Sequence, residues 1–205
     1  MILLTGFERF GANAINPSEC VVNKLAPGVG ASAILPVSAD EAPRALVALL
    51  DRHRPEVVLS LGMAEGRPAM TLETVARNRL LVPDCESGDL EIGERPVVEG
   101  GRSALHVTLP IGAIWNTWRD AGIPCELSDS AGTFICNQVL YWSLRLAPTY
   151  GYLAGFIHLP YLPEQGEPNL PLDVMVKGVR LALQTCTAPK PSRTSPRRLQ
   201  SQSHR

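Results

Sequence analysis

The sequence predicts an α/β fold: a three-layer α/β/α arrangement with a twisted, largely parallel central sheet, built as a single domain. Two observations carry this expectation. Short runs of strand length, the clearest being Glu56-Val57-Val58-Leu59-Ser60-Leu61-Gly62, are apolar on both faces, as strands covered on both sides are. Between such runs lie stretches with apolar residues at helical spacing, and alternating strands and helices favour parallel crossovers with helices on both faces. At 205 residues with 45% hydrophobic residues and a net charge of -1, the chain reads as soluble and long enough to bury a sizeable core.

The elements follow in order. Ile2-Leu3-Leu4-Thr5 is a buried strand ending at Gly6, and Asn16-Pro17 supplies an N-cap and first-turn proline for a helix through about Leu25. Ala33-Ile34-Leu35-Pro36-Val37 reads as a second strand. Ser38 then caps a helix with Ala45, Leu46, Leu49 and Leu50 on one face and Pro43 in its first turns. After the Glu56–Gly62 strand, Met70 to Ala76 alternates as another strand. Residues 79 to 103 lack periodicity and read as a long functional or interface loop with room for a hairpin. Pro110 to Ala121 is helical, Pro124 to Leu127 a short strand, Thr133 to Leu146 a helix, Leu153 to Leu159 a strand and Leu172 to Cys186 a last helix. In such sheets ligands gather at the carboxyl ends of the strands, where Gly6-Phe7, Gly62-Met63 and His158 all fall.

Composition excludes several classes. No apolar run approaches the roughly 20 residues that span a bilayer, and the N-terminus turns polar too soon for a secretory signal, so no membrane is expected and the cytoplasm is the default compartment. Nothing in the charge balance calls for nucleic acid. Five cysteines, Cys20, Cys85, Cys125, Cys136 and Cys186, are an odd number without close-pair spacing, which disfavours a disulfide framework and a zinc site. No Gly-rich phosphate loop follows the first strand, which disfavours a nucleotide-binding domain, and no cofactor is expected. From Thr187 to Arg205 there are five Lys/Arg and no Asp/Glu, without apolar periodicity. The expected division is therefore a folded domain over 1–186 and a disordered basic tail over 187–205.

Two residues suggest chemistry. Cys136 lies in Ser130-Ala131-Gly132-Thr133-Phe134-Ile135-Cys136-Asn137, where a turn runs into a helix, and the positive end of a helix dipole favours thiolate over thiol. His158 ends the run Tyr152-Leu153-Ala154-Gly155-Phe156-Ile157 at the mouth of a buried strand. Together they suit a Cys/His nucleophile and base. Taken locally, each is equally at home as core packing, since free cysteine is among the most buried residue types.

Four segments in order resemble the pyroglutamyl peptidase I family (pyrrolidone-carboxylate peptidases), cysteine peptidases that remove N-terminal pyroglutamate. They are Thr5-Gly6-Phe7-Glu8-Arg9-Phe10-Gly11 with Asn16-Pro17-Ser18, Gly66-Arg67 with Thr71-Leu72-Glu73, Ala131 to Asn137, and His158-Leu159-Pro160-Tyr161-Leu162-Pro163. The resemblance implies Cys136 as nucleophile, His158 as base and then acid, and Glu73 as the carboxylate that orients the imidazole. It further implies a slot for the lactam ring from Phe7, Phe10, Phe134 and Ile135, with Asn16 ordering the loop beneath. The implied partner is a pyroglutamyl peptide, and family members often form homo-oligomers.

The chain also departs from the family pattern. Met63 stands where family members typically carry Gln, and Leu81 where they carry Arg, with Arg77 or Arg79 as candidates to reach in its stead. Ala12 replaces the second glycine of the usual Phe-Gly-Gly turn. These changes motivate an alternative, a weak or inactive relative that binds pyroglutamyl or related lactam ligands.

Overall fold

Fifteen regular elements follow one another in a computed structural model that describes residues 1–84 and 91–188. They are β1 (Ile2–Phe7), α1 (Pro17–Leu25), β2 (Ala31–Leu35), α2 (Glu41–His53), β3 (Val57–Met63), β4 (Met70–Glu73), β5 (Val75–Arg77), β6 (Leu80–Asp84), β7 (Glu91–Arg95), β8 (Ala104–His106), α3 (Ile111–Asp120), β9 (Cys125–Ser128), α4 (Ile135–Tyr150), β10 (Leu153–Leu159) and α5 (Leu172–Thr187). Six strands form the central sheet in the order β2-β1-β3-β10-β4-β9. Its pairs are parallel except β10 with β4, so β4 and β9 run against the other four. The three-layer α/β expectation holds, with this one reversal of polarity.

The pleat sorts side chains into two cores. Leu59 and Leu61 of β3, Ile157 and Leu159 of β10, and Met70 and Leu72 of β4 pack beneath α1, α3 and α5. On the other face Val58, Ala154 and Phe156 meet Leu46 and Leu50 of α2 and Val139 and Leu140 of α4. By the same alternation Glu73 and His158 point to the α4 side. Trp118 is fully buried between α3 and α5 and donates from Nε1 to Gly178 O at 2.7 Å, and Tyr141 is fully buried with its hydroxyl on Arg102 O at 2.7 Å.

Several boundaries differ from expectation. The alternating segment 70–76 is two strands, because the chain leaves the sheet at Thr74: its N–H and Oγ1 both donate to Ser128 O at 2.8 Å, and its carbonyl accepts from Val107 N. β5 then pairs with β8 in a ladder of its own. Residues 79–103 contain the antiparallel pair β6–β7, in keeping with the hairpin that the sequence left room for. Helix α4 runs past Leu146 and tolerates Pro148 close to its end, stopping where Gly151 takes φ 78°. The last helix reaches Thr187; beyond Ala188 the predicted tail falls outside the described residues, as does Cys85. Among the described residues no helix is long and apolar enough to cross a membrane.

Candidate active site

Sheet register brings two of the expected residues together. In the antiparallel β10–β4 ladder Phe156 sits opposite Glu73 and His158 opposite Thr71, so the Glu73 and His158 side chains are diagonal neighbours on one face. His158 Nδ1 meets Glu73 Oε1 at 2.7 Å. A carboxylate accepts only, so Nδ1 carries the proton and Nε2 is left as the free base. Phe156 packs against the imidazole with ring centroids 4.8 Å apart and limits its tilt.

Cys136 comes from the first turn of α4. On β3, Gly62 is the parallel partner of His158, and a Cβ there would lie 2.8 Å from Cys136 Sγ. The sulfur therefore occupies the notch that the missing side chain leaves, one strand from the imidazole. Asn137 clamps the helix start: its Oδ1 accepts from Arg77 N at 2.9 Å and its Nδ2 donates to Arg77 O and Arg79 O at 2.8 Å. Among the described residues no hydrogen bond joins Sγ to the imidazole, as is common before substrate tightens such a pair.

Glu73 is fully buried, and two cationic or potentially cationic groups share its Oε1: His158, and Arg67 with Nη1 at 2.7 Å. Burial alone would raise the carboxyl pKa, but the bond from His158 and the neighbouring charges outweigh it and hold the group below the usual carboxylate value. Burial lowers the His158 pKa, against the opposing pull of Glu73. Burial, reinforced by the Glu73 charge, pushes the Cys136 thiol up to about 12. Desolvation and the nearby carboxylate thus favour the thiol, against the helix dipole that favours the thiolate expected from sequence, and desolvation favours the neutral imidazole.

A pocket of about 420 Å³ opens over this pair, with Cys136 and His158 in its lining. Phe7, Phe10, Phe134 and Ile135 all line it, and so does Asn16. Phe10 and Phe134 are 42% and 55% exposed, which puts them at the mouth, while Phe7 is buried. Asn16 caps α1 by accepting from Ser18 N at 3.0 Å and donates from Nδ2 to Glu8 O at 2.9 Å, so it ties the 8–16 loop to the helix. The pocket therefore gathers seven of the eight expected residues, and the eighth, Glu73, stands behind His158.

Sequence reasoning missed several others. Val37, Ala131 and Gly132 complete the wall; Met63, singled out from the sequence, does line the pocket, and its Sδ accepts from Gln165 Nε2 at 3.5 Å. Arg67 carried no expected role; it follows Gly66, whose φ of +76° turns the chain seven residues before the acid. Leu81 N donates to Thr133 O at 2.7 Å, so position 81 does abut the pocket wall. Arg77 and Arg79 do not substitute there. They pair with Asp129 at 3.6 Å and Glu94 at 2.7 Å.

A thiol in a notch of β3, an imidazole oriented by a buried carboxylate, and an apolar pocket above them stand on a chain that is similar to known proteins along most of its length. The model for pyroglutamyl peptidase matches residues 1–188. The chain belongs to the pyroglutamyl peptidase family. It is 37% identical over 194 residues to the pyrrolidone-carboxylate peptidase of Vibrio parahaemolyticus, covering 89% of this chain and 91% of the relative. It is 42% identical over 201 residues to that of Cupriavidus taiwanensis, covering 90% and 91%. Among solved structures, pyrrolidone carboxyl peptidase from the hyperthermophile Pyrococcus furiosus superposes with a TM-score of 0.82 at 32% identity, covering 90% of this chain and 97% of that one.

Proposed function

We propose that this protein is a cysteine exopeptidase that hydrolyses the amide bond after an N-terminal pyroglutamyl residue, with Cys136 as nucleophile, His158 as base and acid, and Glu73 as the orienting carboxylate. The observation that carries the residue assignment is the Nδ1–Oε1 contact of 2.7 Å behind an imidazole that opens into the same apolar pocket as Cys136. The lactam ring is small, neutral and flat, and suits a slot between Phe7, Phe10, Phe134 and Ile135. A free N-terminal glutamate would have to shed the hydration of an ammonium and a carboxylate there, which is costly.

In this reading the substrate closes the gap between sulfur and Nε2. As Sγ bonds to the scissile carbonyl carbon, its proton passes to Nε2, and Glu73 steadies the imidazolium that forms. The carbonyl oxygen becomes an oxyanion at the start of α4, where the first backbone N–H groups lack intrahelical partners. The C–N bond breaks with Nε2–H protonating the leaving amine. Water, deprotonated by His158, then cleaves the thioester, releasing pyroglutamate and restoring the thiol. A neutral resting pair fits this sequence, because the charge separation arises only as the carbon–sulfur bond forms.

We further place the enzyme in the cytoplasm, acting on peptides either as a single chain or as a homo-oligomer. The comparisons favour peptidase activity and give the binding-only alternative no support. The test is fluorophore release from a pyroglutamyl amide under reducing conditions by the intact protein and by Cys136→Ala. Release by the first and none by the second is expected. Equal release by both would remove Cys136 from the mechanism.

A further inference from the structure

We propose that Arg67 is a positioning residue for this site: its guanidinium holds the Glu73 carboxylate on His158 Nδ1 and at the same time braces the wall from which the nucleophile helix starts. The inference deepens the proposed function and rests on its assignment of Glu73 and His158. Three observations carry it. Arg67 Nη1 and His158 Nδ1 both lie 2.7 Å from the same oxygen, Oε1, while among the described residues Oε2 is buried without a partner. The carboxylate thus owes its aim to Oε1, and its two donors set the angle together. Ser128 sits opposite Glu73 on β9; its hydroxyl donates to Ser130 O at 3.0 Å yet lies near enough to help hold the Glu73 pKa down, so Arg67 acts beside it.

The second observation is charge. Glu73 is fully buried with its pKa held down, and a buried carboxylate charge needs a partner. Arg77 and Arg79 are engaged with Asp129 and Glu94, which leaves Arg67 as the cation in contact with the acid among the described residues. The third is connectivity. Arg67 Nη2 donates to Ser130 O at 3.3 Å, so one planar fork joins the acid on β4 to the Ser130–Phe134 loop that walls the pocket and leads into Cys136. An ammonium could satisfy one of these two contacts but would not span both.

Arg67 also sets when the base is available. A fixed cation beside Glu73 opposes protonation of His158, in the same direction as burial, and at Cys136 it works against the rise that burial and the Glu73 charge impose.

The test reads His158 directly. In the Cys136→Ala protein the four histidine Cε1 proton signals are followed by NMR against pH, with His158 assigned by its loss in His158→Gln. Adding Arg67→Gln should raise the His158 midpoint by about one pH unit, and Arg67→Lys should restore most of it. Arg67→Met keeps the packed stem and gives the same comparison should the Gln variant not fold. With Cys136 intact, Arg67→Gln should lower kcat on the order of 10-fold or more with KM within about 2-fold. An unmoved His158 midpoint in a folded uncharged variant overturns the inference. The NMR arm needs no substrate, so failure to cleave pyroglutamyl amides would count against the proposed function alone.

Discussion

Replacing Gly62 by alanine tests whether Cys136 Sγ must lie where it does. The new Cβ would sit 2.8 Å from Sγ and 2.8 Å from Phe156 Cζ, with Phe156 Cε1 at 3.0 Å. Comfortable contact between such atoms is roughly 3.5–4.0 Å, so the methyl group must drive the sulfur or the ring away by about 0.7 Å or more. Phe156 is the less free of the two, being fully buried and packed at a tilt between His158 and Phe7. Most of the displacement therefore falls on the sulfur. A shift approaching 1 Å in a reacting atom costs on the order of 10²-fold in rate, while overpacking of this kind costs about 1–3 kcal/mol. For a chain of this size that lowers Tm by roughly 2–4 °C per kcal/mol. Gly155→Ala is the control. Its Cβ would strike Leu109 Cδ1 and Cγ on the far face of the sheet, so it should destabilise comparably yet leave kcat of the folded enzyme within a few-fold. The measurement is kcat and KM for a pyroglutamyl amide beside thermal unfolding of each variant. Full kcat in Gly62→Ala would refute the claim that the notch positions the nucleophile.

Two further outcomes follow from the site. Because the His158 pKa lies below 6.5, the base is neutral above that pH, and kcat/KM should fall only as pH drops below 6.5. The same depressed value means that the imidazole's contribution to stability is complete above 6.5 and is lost as pH falls through the folded value, so unfolding midpoints should decline over the same range; an activity midpoint at or above pH 7 contradicts this. Met63→Gln should raise kcat/KM several-fold with Tm nearly unchanged, because an amide at that position can accept from Gln165 through oxygen and still turn an N–H to the pocket. A lower kcat/KM would show that the thioether suits this pocket better than the amide does.

What the sequence disclosed divides along physical lines. Strands β1, β3 and β10 were legible because burial on both faces leaves continuous apolar runs, and α1 because Asn16-Pro17 encodes its start locally. The break at Thr74 was not, since the period-2 pattern continues through it and the interruption comes from bonds to Ser128 and Val107, remote in sequence. Cys136 and His158 carried local signals of their own. Glu73 emerged only through the family resemblance, because what makes it special is the register of two strands whose paired residues lie 85 positions apart. Gly62 read as the turn at a strand end, yet it lies within β3, and its lack of a side chain serves the sulfur. No periodicity reports where a guanidinium points, which is why Arg67 needed coordinates.

The reversed polarity of β4 against β10 has a consequence for how such an enzyme can change over time. Acid and base are spaced by a hydrogen-bonded ladder, whereas Phe10, Phe134 and much of the pocket mouth belong to segments outside that ladder. Proton traffic and substrate choice are thus inherited on different parts of the molecule. Insertions or exchanges in the mouth can alter which N-terminal group is accepted without disturbing the distance between Glu73 and His158. A one-residue slip of β4, by contrast, would turn the carboxylate to the opposite layer and end catalysis in a single step.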